Sequence, residues 1–226
     1  MDYPGKELEI FDKAKIFQKY IILKIKGFIK DGIFEVGAGI GSFSRGYIHK
    51  YNDIHLSDLD NYNFNELKKK FSNKKIKISQ DKIEETNSLY NTIIYLNVLE
   101  HIEKDLDEIN TACTKLYNGG NLIILVPAHQ KLYSKFDKAV GHCRRYDINF
   151  FRKVNNKNLK LKKLIYLDAF GYILYSLNNF FFKEETYPSI TKIMIWDKIF
   201  IPITMILDYL SFYKMGKNIL CIYEKV

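Results

Sequence analysis

A glycine-rich segment between two acidic residues is the first feature of this sequence that could bind a ligand. Glu35 stands two positions before Gly37, and Gly39 and Gly41 follow at alternate positions. Glycines after a buried strand let the backbone approach a ligand closely and direct the next N–H groups towards it. Asp58 follows Glu35 by 23 residues, just after the next predicted strand. This spacing predicts a site for a nucleotide-like cofactor.

The residues around these glycines indicate which class of cofactor the site would bind. Strands that bind dinucleotides usually carry an apolar residue two positions before the first glycine, and a third glycine in the pattern G-x-G-x-x-G. Here Glu35 and Ser42 occupy those two positions. A carboxylate at the end of the strand suits the ammonium group of an amino acid better than a pyrophosphate. The pattern therefore disfavours a dinucleotide-dependent oxidoreductase.

A polar loop at 128–147 contains further residues suited to chemistry, in the run Gly141-His142-Cys143-Arg144-Arg145-Tyr146. Only four of the 35 basic residues are arginines, so an adjacent pair is informative. Paired guanidinium groups suit a phosphate or a carboxylate. The loop therefore predicts the site of an anionic acceptor, and a structural cluster of salt bridges is the alternative.

Two histidines are candidates for removing a proton from an acceptor hydroxyl group. A histidine with a pKa of about 6.5 can take such a proton near neutral pH. His142 in the loop and His101, which follows the fourth predicted strand, are the residues proposed for this role. His129 stands alone in the loop and is expected to be solvated.

The elements that must position these residues follow from the hydrophobic periodicity of the chain. Short apolar segments typical of strands alternate with amphipathic segments typical of helices. Strands are predicted at 33–36, 54–57, 76–79, 92–96, 122–126, 159–167 and 219–223. This alternation predicts a doubly wound α/β fold, in which a seven-stranded, mostly parallel sheet carries helices on both faces.

Helices are predicted between most of these strands. The predicted positions are 7–28, a segment directly after Gly41, about 63–71, a segment before the fourth strand, and a helix that ends at Gly119-Gly120. An aromatic-rich helical insertion at about 170–217 separates the last two strands. Its longest uncharged apolar run, 199–207, is too short to cross a bilayer. The predicted organisation is one domain at 1–226, with an N-terminal helix at 1–30, a cofactor-binding core at 31–126 and an acceptor-side half at 127–226.

The composition excludes several classes of protein. Hydrophobic residues make up 47% of the 226 residues, which excludes a disordered chain. Cys113, Cys143 and Cys221 are scattered, and the charged N-terminus lacks a long apolar core. We therefore expect reduced thiols, a cytoplasmic location and no metal site. The net charge of +9 comes mainly from dispersed lysines, which are more typical of a solvated surface than of a nucleic-acid interface.

The run Glu35-Val36-Gly37-Ala38-Gly39-Ile40-Gly41 resembles the first motif of class I S-adenosylmethionine-dependent methyltransferases. In that family an acid at the position of Asp58 accepts both ribose hydroxyl groups. Asp81 matches an acid near the adenine amine, although it could instead cap a helix. The run 96–102, Leu-Asn-Val-Leu-Glu-His-Ile, is similar to the family's Leu-Glu-His motif. The resemblance implies a cofactor-binding set of Glu35, Gly37, Ala38, Gly39, Asp58, Leu59, Asp81 and Asn97.

Each of these residues also has a structural interpretation. Glu35 could cap the neighbouring turn, and Asp58 could be an ordinary loop acid. Glu100 and His101 could serve only to orient the loop beneath the cofactor. The joint spacing of Glu35, the glycines and Asp58 favours the cofactor site.

The second half of the chain resembles one branch of that family. The resemblance rests on Val126-Pro127-Ala128, Tyr133, Asp137 and the run 141–146, with Cys143 where an aromatic residue is common. Members of this branch are often found with glycosyltransferases of cell-surface saccharide synthesis, and they have a helical insertion before the last strand.

The resemblance implies an S-adenosylmethionine-dependent methyltransferase. The chemistry of the residues themselves adds His142, His101 and Arg145 as the candidate catalytic residues. The expected acceptor is a hydroxyl group of a sugar, a lipid-linked saccharide or a related metabolite. The insertion is expected to cover the acceptor site and to make peripheral membrane contact. Two alternatives are an RNA methyltransferase, favoured by charge but lacking an added RNA-binding module, and a non-catalytic cofactor-binding protein, which would not need the loop at 127–147.

Overall fold

The computed structural model of the chain describes residues 6–72, 76–181 and 189–226. Seven strands form one sheet: β1 (Ile33–Val36), β2 (Ile54–Ser57), β3 (Ile76–Ser79), β4 (Tyr90–Leu96), β5 (Leu116–Pro127), β6 (Leu159–Leu167) and β7 (Asn218–Lys225). Their order is β3-β2-β1-β4-β5-β7-β6. β7 is antiparallel to both of its neighbours, and the other pairs are parallel. The predicted doubly wound, mostly parallel sheet is confirmed.

The sheet order brings the predicted cofactor residues to one edge. Val36 at the end of β1 pairs with Ser57 on one side and with Tyr95 on the other. Because β2, β1 and β4 are parallel, the segments that follow them leave from the same edge of the sheet. Asp58 and the glycine-rich turn therefore begin next to each other.

Helices cover both faces of the sheet. They are α1 (Lys6–Phe11), α2 (Lys15–Ile25), α3 (Asn61–Lys70), α4 (Asp105–Thr114), α5 (Lys135–Ala139), α6 (Ile148–Arg152), α7 (Ala169–Phe181), α8 (Ile190–Ile195) and α9 (Ile201–Leu210). A π-helical segment, Trp196–Phe200, joins α8 to α9. Alternate strand residues point to opposite faces, so Leu56 and Ile94 belong to one hydrophobic core whereas Phe34 and Ile93 belong to the other.

Two predicted helices are wrong. The segment after Gly41 forms two short 3₁₀ turns, Ser44–Gly46 and Ile48–Lys50, because Ser44 and Tyr47 turn back to bind the buried Glu35. The segment before β4 forms only the 3₁₀ turn Ile83–Glu85.

Two other element boundaries differ from the prediction. The helix expected at 7–28 is interrupted between α1 and α2, where the side chain of Asp12 binds Ser42 and Arg45. β5 begins at Leu116, so Gly119-Gly120 lies within the strand instead of ending a helix. The pairing of β4 with β5 is irregular there, and the glycines accommodate the irregularity.

The helical insertion before β7 is confirmed where the structure describes it, and residues 182–188 lie outside the described residues. Ile193 and Ile201 of the insertion pack in the same core as β1 and β2. Tyr172 of α7 packs against His129 in the loop after β5. Among the described residues, no helix combines the length and apolar character that a bilayer crossing requires.

Candidate functional site

The glycine-rich turn after β1 lies against the segment that follows β4. Gly37 and Gly39 adopt left-handed backbone angles, with φ of 65° and 56°. A Cβ atom on Gly37 would lie 2.6 Å from Cγ2 of Val98, closer than side-chain atoms approach. Ala38 between them donates its N–H to the carbonyl of Ser57 at 2.9 Å. The turn therefore requires glycine at 37, and it is fixed to β2.

Glu35 is buried directly beneath this turn. Its Oε2 accepts hydrogen bonds from the hydroxyl groups of Ser44 and Tyr47, each at 2.5 Å. Burial raises the pKa of Glu35 to about 7 against the opposing effect of these two hydrogen bonds. The contacts with Ser44 and Tyr47 show that Glu35 holds the turn that follows the glycines, which is the structural role considered for it. Both contacts use the same carboxylate oxygen, Oε2.

Asp58 links the end of β2 to the glycine-rich turn. Its Oδ2 accepts the N–H of Gly39 at 2.7 Å, and its Oδ1 accepts the N–H of Asp60 at 3.0 Å and Nδ2 of Asn63 at 3.1 Å. Burial raises the pKa of this carboxyl group. Asp58 is therefore not an ordinary loop acid, and Leu59 beside it is exposed.

The other two predicted cofactor residues lie at the ends of neighbouring strands. Asp81 follows β3, and its carboxylate lies 3.6 Å from Nζ of Lys77 and 3.8 Å from Nε2 of His55. Asn97 follows β4, is exposed, and has a left-handed φ of 57°. Its N–H donates to the carbonyl of Leu125 at 2.8 Å, which fixes the backbone where the chain leaves the sheet.

A second cluster begins three residues after Asn97. Glu100, His101 and His142 each bring one possible ligand atom to within 4.8 Å of the other two. Glu100 is completely buried, and neither of its carboxylate oxygens has a hydrogen-bond partner among the described residues. Burial raises its pKa to about 8. His142 Nε2 lies 3.8 Å from Oε1 of Glu100.

The orientation of His142 is set by Asp137, which sequence reasoning noted only as part of the family resemblance. His142 Nδ1 lies 2.8 Å from Oδ1 of Asp137. Although burial alone would raise the pKa of Asp137, hydrogen bonds from His142 and Arg145 hold it well below its usual value. The imidazole is therefore held by an ionised carboxylate on one side and faces Glu100 with its other nitrogen.

His101 completes the cluster from the loop after β4. The rings of His101 and His142 meet edge to face, with centroids 4.8 Å apart. The imidazole of His101 is hydrogen-bonded to the backbone of Gly141. Although part of the residue is exposed, desolvation of the ring by the surrounding loops lowers its pKa to about 4. His101 is thus neutral near pH 7. The two predicted histidines lie together although 41 positions separate them in the sequence.

The two arginines do not form the fork predicted for an acceptor anion. Arg145 donates Nε and a terminal nitrogen to Asp137, each at 2.9 Å, and is itself buried. Arg144 instead binds Asp105 and the carbonyl of Glu103. Because each guanidinium group binds a different internal carboxylate, the prediction of a shared arginine fork is wrong. Arg145 acts on the site through Asp137, as a positioning residue.

Other contacts of this loop also differ from expectation. His129 is not solvated: its ring stacks on Tyr166 with centroids 5.1 Å apart, and Nε2 lies 3.0 Å from the carbonyl of Gly216. The N–H of Cys143 donates to the carbonyl of Glu100 at 2.8 Å, so the backbone of the loop is fastened to the cluster.

Comparison with solved structures gives the same architecture. A candidate methyltransferase from Bacillus halodurans matches with a TM-score of 0.61 at 12% identity, over 92% of this chain and 98% of the other. Coclaurine N-methyltransferase, solved with N-methylheliamine and S-adenosylhomocysteine, gives 0.62 at 10% identity, over 92% and 72%. Magnesium protoporphyrin IX methyltransferase from Synechocystis PCC 6803, solved with S-adenosylmethionine, gives 0.57 at 11% identity, over 100% and 85%.

At these identities the likeness establishes the fold, which is that of the class I methyltransferases. No family model and no curated protein matches the sequence.

Proposed function

We propose that this protein binds S-adenosylmethionine and transfers its methyl group to a hydroxyl group of a small acceptor, such as a sugar, a lipid-linked saccharide or a related metabolite. The observation that carries the proposal is the hydrogen bond from the N–H of Gly39 to Asp58. It joins the acid after β2 to the glycine-rich turn after β1, directly above the buried Glu35. Sequence spacing and this contact both support the proposal of one cofactor site.

The residues at this edge fit the proposed cofactor. Each carboxylate oxygen has two lone pairs, so Oδ2 of Asp58, which has one internal donor, can also accept a ribose hydroxyl group. Ser44 and Tyr47 use only Oε2 of Glu35, which leaves Oε1 for an ammonium group. The left-handed backbone of Gly37 and Gly39, which have no Cβ atoms, lets a ligand approach the main chain closely. Bound here, S-adenosylmethionine supplies an electrophilic methyl group whose transfer leaves a neutral thioether.

The chain's own contribution is to orient the acceptor and to remove its proton. Orientation alone can supply roughly 7–11 kcal/mol in favourable cases. The cluster of Glu100, His101 and His142 supports the second role, because the segment after β4 that supplies Glu100 and His101 also contains Val98, which lies against Gly37 of the glycine-rich turn. An imidazole nitrogen of this cluster can accept the acceptor proton.

The saccharide acceptor rests on the resemblance of the loop at 127–147 to one branch of the family. The structural relatives methylate or bind chemically different molecules, so the fold does not select among acceptors. The internal pairing of Arg144 and Arg145 favours recognition of a neutral hydroxylated molecule over recognition of a diphosphate.

Calorimetry with S-adenosylhomocysteine tests the proposed cofactor site. We expect saturable binding, no detectable binding of NAD, and a loss of about 1.5–3 kcal/mol of binding free energy in Asp58→Ala, because Asp58 is a charged acceptor. Asp107→Ala is the matched control, since this acid is exposed on α4. Undiminished affinity in Asp58→Ala would refute the assignment.

We also propose that the outer face of α8 and α9 meets a membrane surface that carries anionic lipids. The polar residues of this helical unit are directed inwards: Asp197, Thr204 and Asp208 are buried. Many of its apolar residues are exposed, among them Ile199, Ile206 and Leu210, followed by Phe212, whereas Ile193 and Ile201 pack in the core. In the described residues 189–217 both carboxylates are buried, and the exposed charged residues are Lys192, Lys198 and Lys214.

A further inference from the structure

Glu100 presents an unusual combination of burial and missing partners. Its side chain has no exposed surface, and both carboxylate oxygens lack hydrogen-bond partners among the described residues. An unpaired polar group inside a protein is costly, and buried carboxylates are normally paired with a cation or a hydrogen-bond donor. The imidazoles of His101 and His142 each bring a nitrogen atom to within 4.8 Å of this carboxylate. The arrangement has the donor atoms of a cation site.

Both histidines are oriented in the way that metal-binding histidines are. A metal-binding imidazole usually donates its other N–H to a carboxylate or a backbone carbonyl, which fixes the ring and its tautomer. His142 uses Nδ1 for Asp137 at 2.8 Å and directs Nε2 towards Glu100. The ring of His101 is hydrogen-bonded to the backbone of Gly141. Each ring therefore keeps one nitrogen for a ligand.

The spacing of the three groups is close to that of a bound ion. Two ligands on opposite sides of an ion with bonds of about 2.1 Å are about 4.2 Å apart, and adjacent ligands are closer. The 3.8 Å between Nε2 of His142 and Oε1 of Glu100 is within this range. The largest separation in the cluster is 4.8 Å. A small rotation of His101, the exposed member, would bring it into range.

We propose that Glu100, His101 and His142 bind a divalent first-row transition metal ion on the acceptor side of the site. Two imidazoles and one carboxylate favour Zn²⁺, Mn²⁺ or Fe²⁺ over Mg²⁺ or Ca²⁺, which prefer oxygen ligands. Three protein ligands leave further coordination positions open for water or an acceptor hydroxyl group. The ligands come from two distant loops, which explains why their spacing in the sequence predicts no metal site.

The role of this ion in catalysis rests on the proposed function, whereas its binding does not. A bound cation can lower the pKa of a coordinated water from 15.7 to about 7, and an acceptor hydroxyl group would be activated similarly. The hydroxyl proton goes to solvent water. The oxygen's electron pair forms the new bond to the methyl carbon, and the electrons of the broken carbon–sulfur bond remain on sulfur.

Titration of the dialysed, full-length protein with Zn²⁺ tests the proposal. We expect one saturable site per chain. Glu100→Gln and His101→Asn should each weaken Zn²⁺ binding by more than about 100-fold, since losing a residue that only orients a ligand already costs roughly 10–100-fold. Glu100→Gln keeps the shape of the side chain, and His101 is exposed, so both variants should fold; circular dichroism checks this.

Two control variants separate this cluster from other possible zinc ligands. His49→Ala removes an exposed histidine elsewhere, and Cys143→Ser removes the thiol whose Sγ lies 3.5 Å from the carbonyl of His101. Neither should change the affinity. Absence of a saturable site, unchanged affinity in Glu100→Gln, or loss of binding in Cys143→Ser would each overturn the proposal. Binding of S-adenosylhomocysteine is measured in the same variants. Its absence would count against the proposed function and not against the metal site.

Discussion

At the scale of single residues, the surroundings of Glu35 determine which ligands its carboxyl group can bind. Burial and the nearby Asp58 raise its pKa to about 7, although hydrogen bonds from Ser44 and Tyr47 act in the opposite direction. The group is therefore close to half ionised at neutral pH. A ligand that places an ammonium group beside Glu35 must select the ionised form.

This gives a prediction for the pH dependence of cofactor binding. A carboxyl group with a pKa of about 7 is mostly neutral at pH 6 and mostly ionised at pH 8. Affinity for S-adenosylhomocysteine should therefore rise by about tenfold from pH 6 to pH 8. Binding at pH 7 should release part of a proton, which calorimetry detects as a heat that depends on the ionisation enthalpy of the buffer.

Glu35→Gln provides the control for this prediction. The amide cannot ionise, so this variant should bind more weakly and with little change between pH 6 and pH 8. An equally steep profile in Glu35→Gln would assign the titration to another group. A flat profile in the unsubstituted protein would show that Glu35 does not meet the ammonium group.

Sequence reasoning finds the residues whose roles are set locally. Glu35, the glycines and Asp58 are identifiable because each lies at a strand end and its neighbours follow at fixed spacing. The partners of Arg144 and Arg145 are not identifiable in this way, because they depend on which carboxylates the fold brings near. Asp105 and Asp137 are those carboxylates. The alternative interpretation of the arginine pair, a structural cluster of salt bridges, therefore describes both contacts.

At the scale of elements, buried acids from the insertion cap helices that begin elsewhere in the chain. α2 has no side-chain cap of its own at Ala14. Asp197 supplies the missing acceptor, binding the N–H of Ile16 at 3.0 Å and that of Phe17 at 2.8 Å. The insertion therefore contributes to the stability of the whole domain and cannot be removed as a separate lid.

Replacing Asp197 with alanine should lower the free energy of unfolding by about 1.5–3 kcal/mol. The two N–H groups are at the start of a buried helix, and they lose a charged acceptor. Urea unfolding followed by circular dichroism measures the effect. The free energy of unfolding of Asp197→Asn should lie between those of the unsubstituted protein and Asp197→Ala, because asparagine keeps one acceptor oxygen without the charge.

Lys198→Ala is the matched control for this change. Lys198 is the next residue and is exposed, so its loss should alter stability by no more than about 0.5 kcal/mol. If Asp197→Ala were as stable as Lys198→Ala, the hydrogen bonds to α2 would not contribute to folding.

Periodicity predicts most strands but fails where long-range contacts determine the local conformation. The short strands β1, β2 and β3 are found within the predicted bounds. After Gly41 the apolar spacing suggests a helix, yet Tyr47 is drawn to Glu35 and Phe43 packs against Phe17. Such contacts join residues far apart in the chain, and local periodicity carries no information about them.

At the scale of the whole molecule, the sheet order accounts for the division of the site into two sides. The glycine-rich turn and Asp58 leave from β1 and β2, while the cluster of Glu100, His101 and His142 is built from the segments after β4 and β5. Both hydrophobic cores extend across the sheet, from the cofactor side to β7. This continuity supports the single-domain organisation at 1–226.

The outer surface of the insertion exposes apolar residues, and packing against the sheet does not explain this exposure. A helix in a water-soluble protein normally turns its apolar side to the core, whereas α9 buries Thr204 and Asp208 and exposes Ile206 and Leu210. A large exposed apolar patch marks a surface that binds a membrane or another protein. Lys198 and Lys214 are exposed on the same insertion, and lysines near an anionic bilayer contribute about 1 kcal/mol each.

Sedimentation with lipid vesicles tests this interpretation. The protein should bind vesicles of phosphatidylcholine with phosphatidylglycerol, more weakly at high salt because screening shortens the range of the lysine charges. A double variant, Ile206→Ser with Phe212→Ser, should lose most of the bound fraction, whereas Leu106→Ser, which alters an exposed leucine on α4, should keep it. Absence of binding to these vesicles would contradict a membrane role. If the double variant instead converts a dimer into a monomer, the surface serves a second copy of the chain.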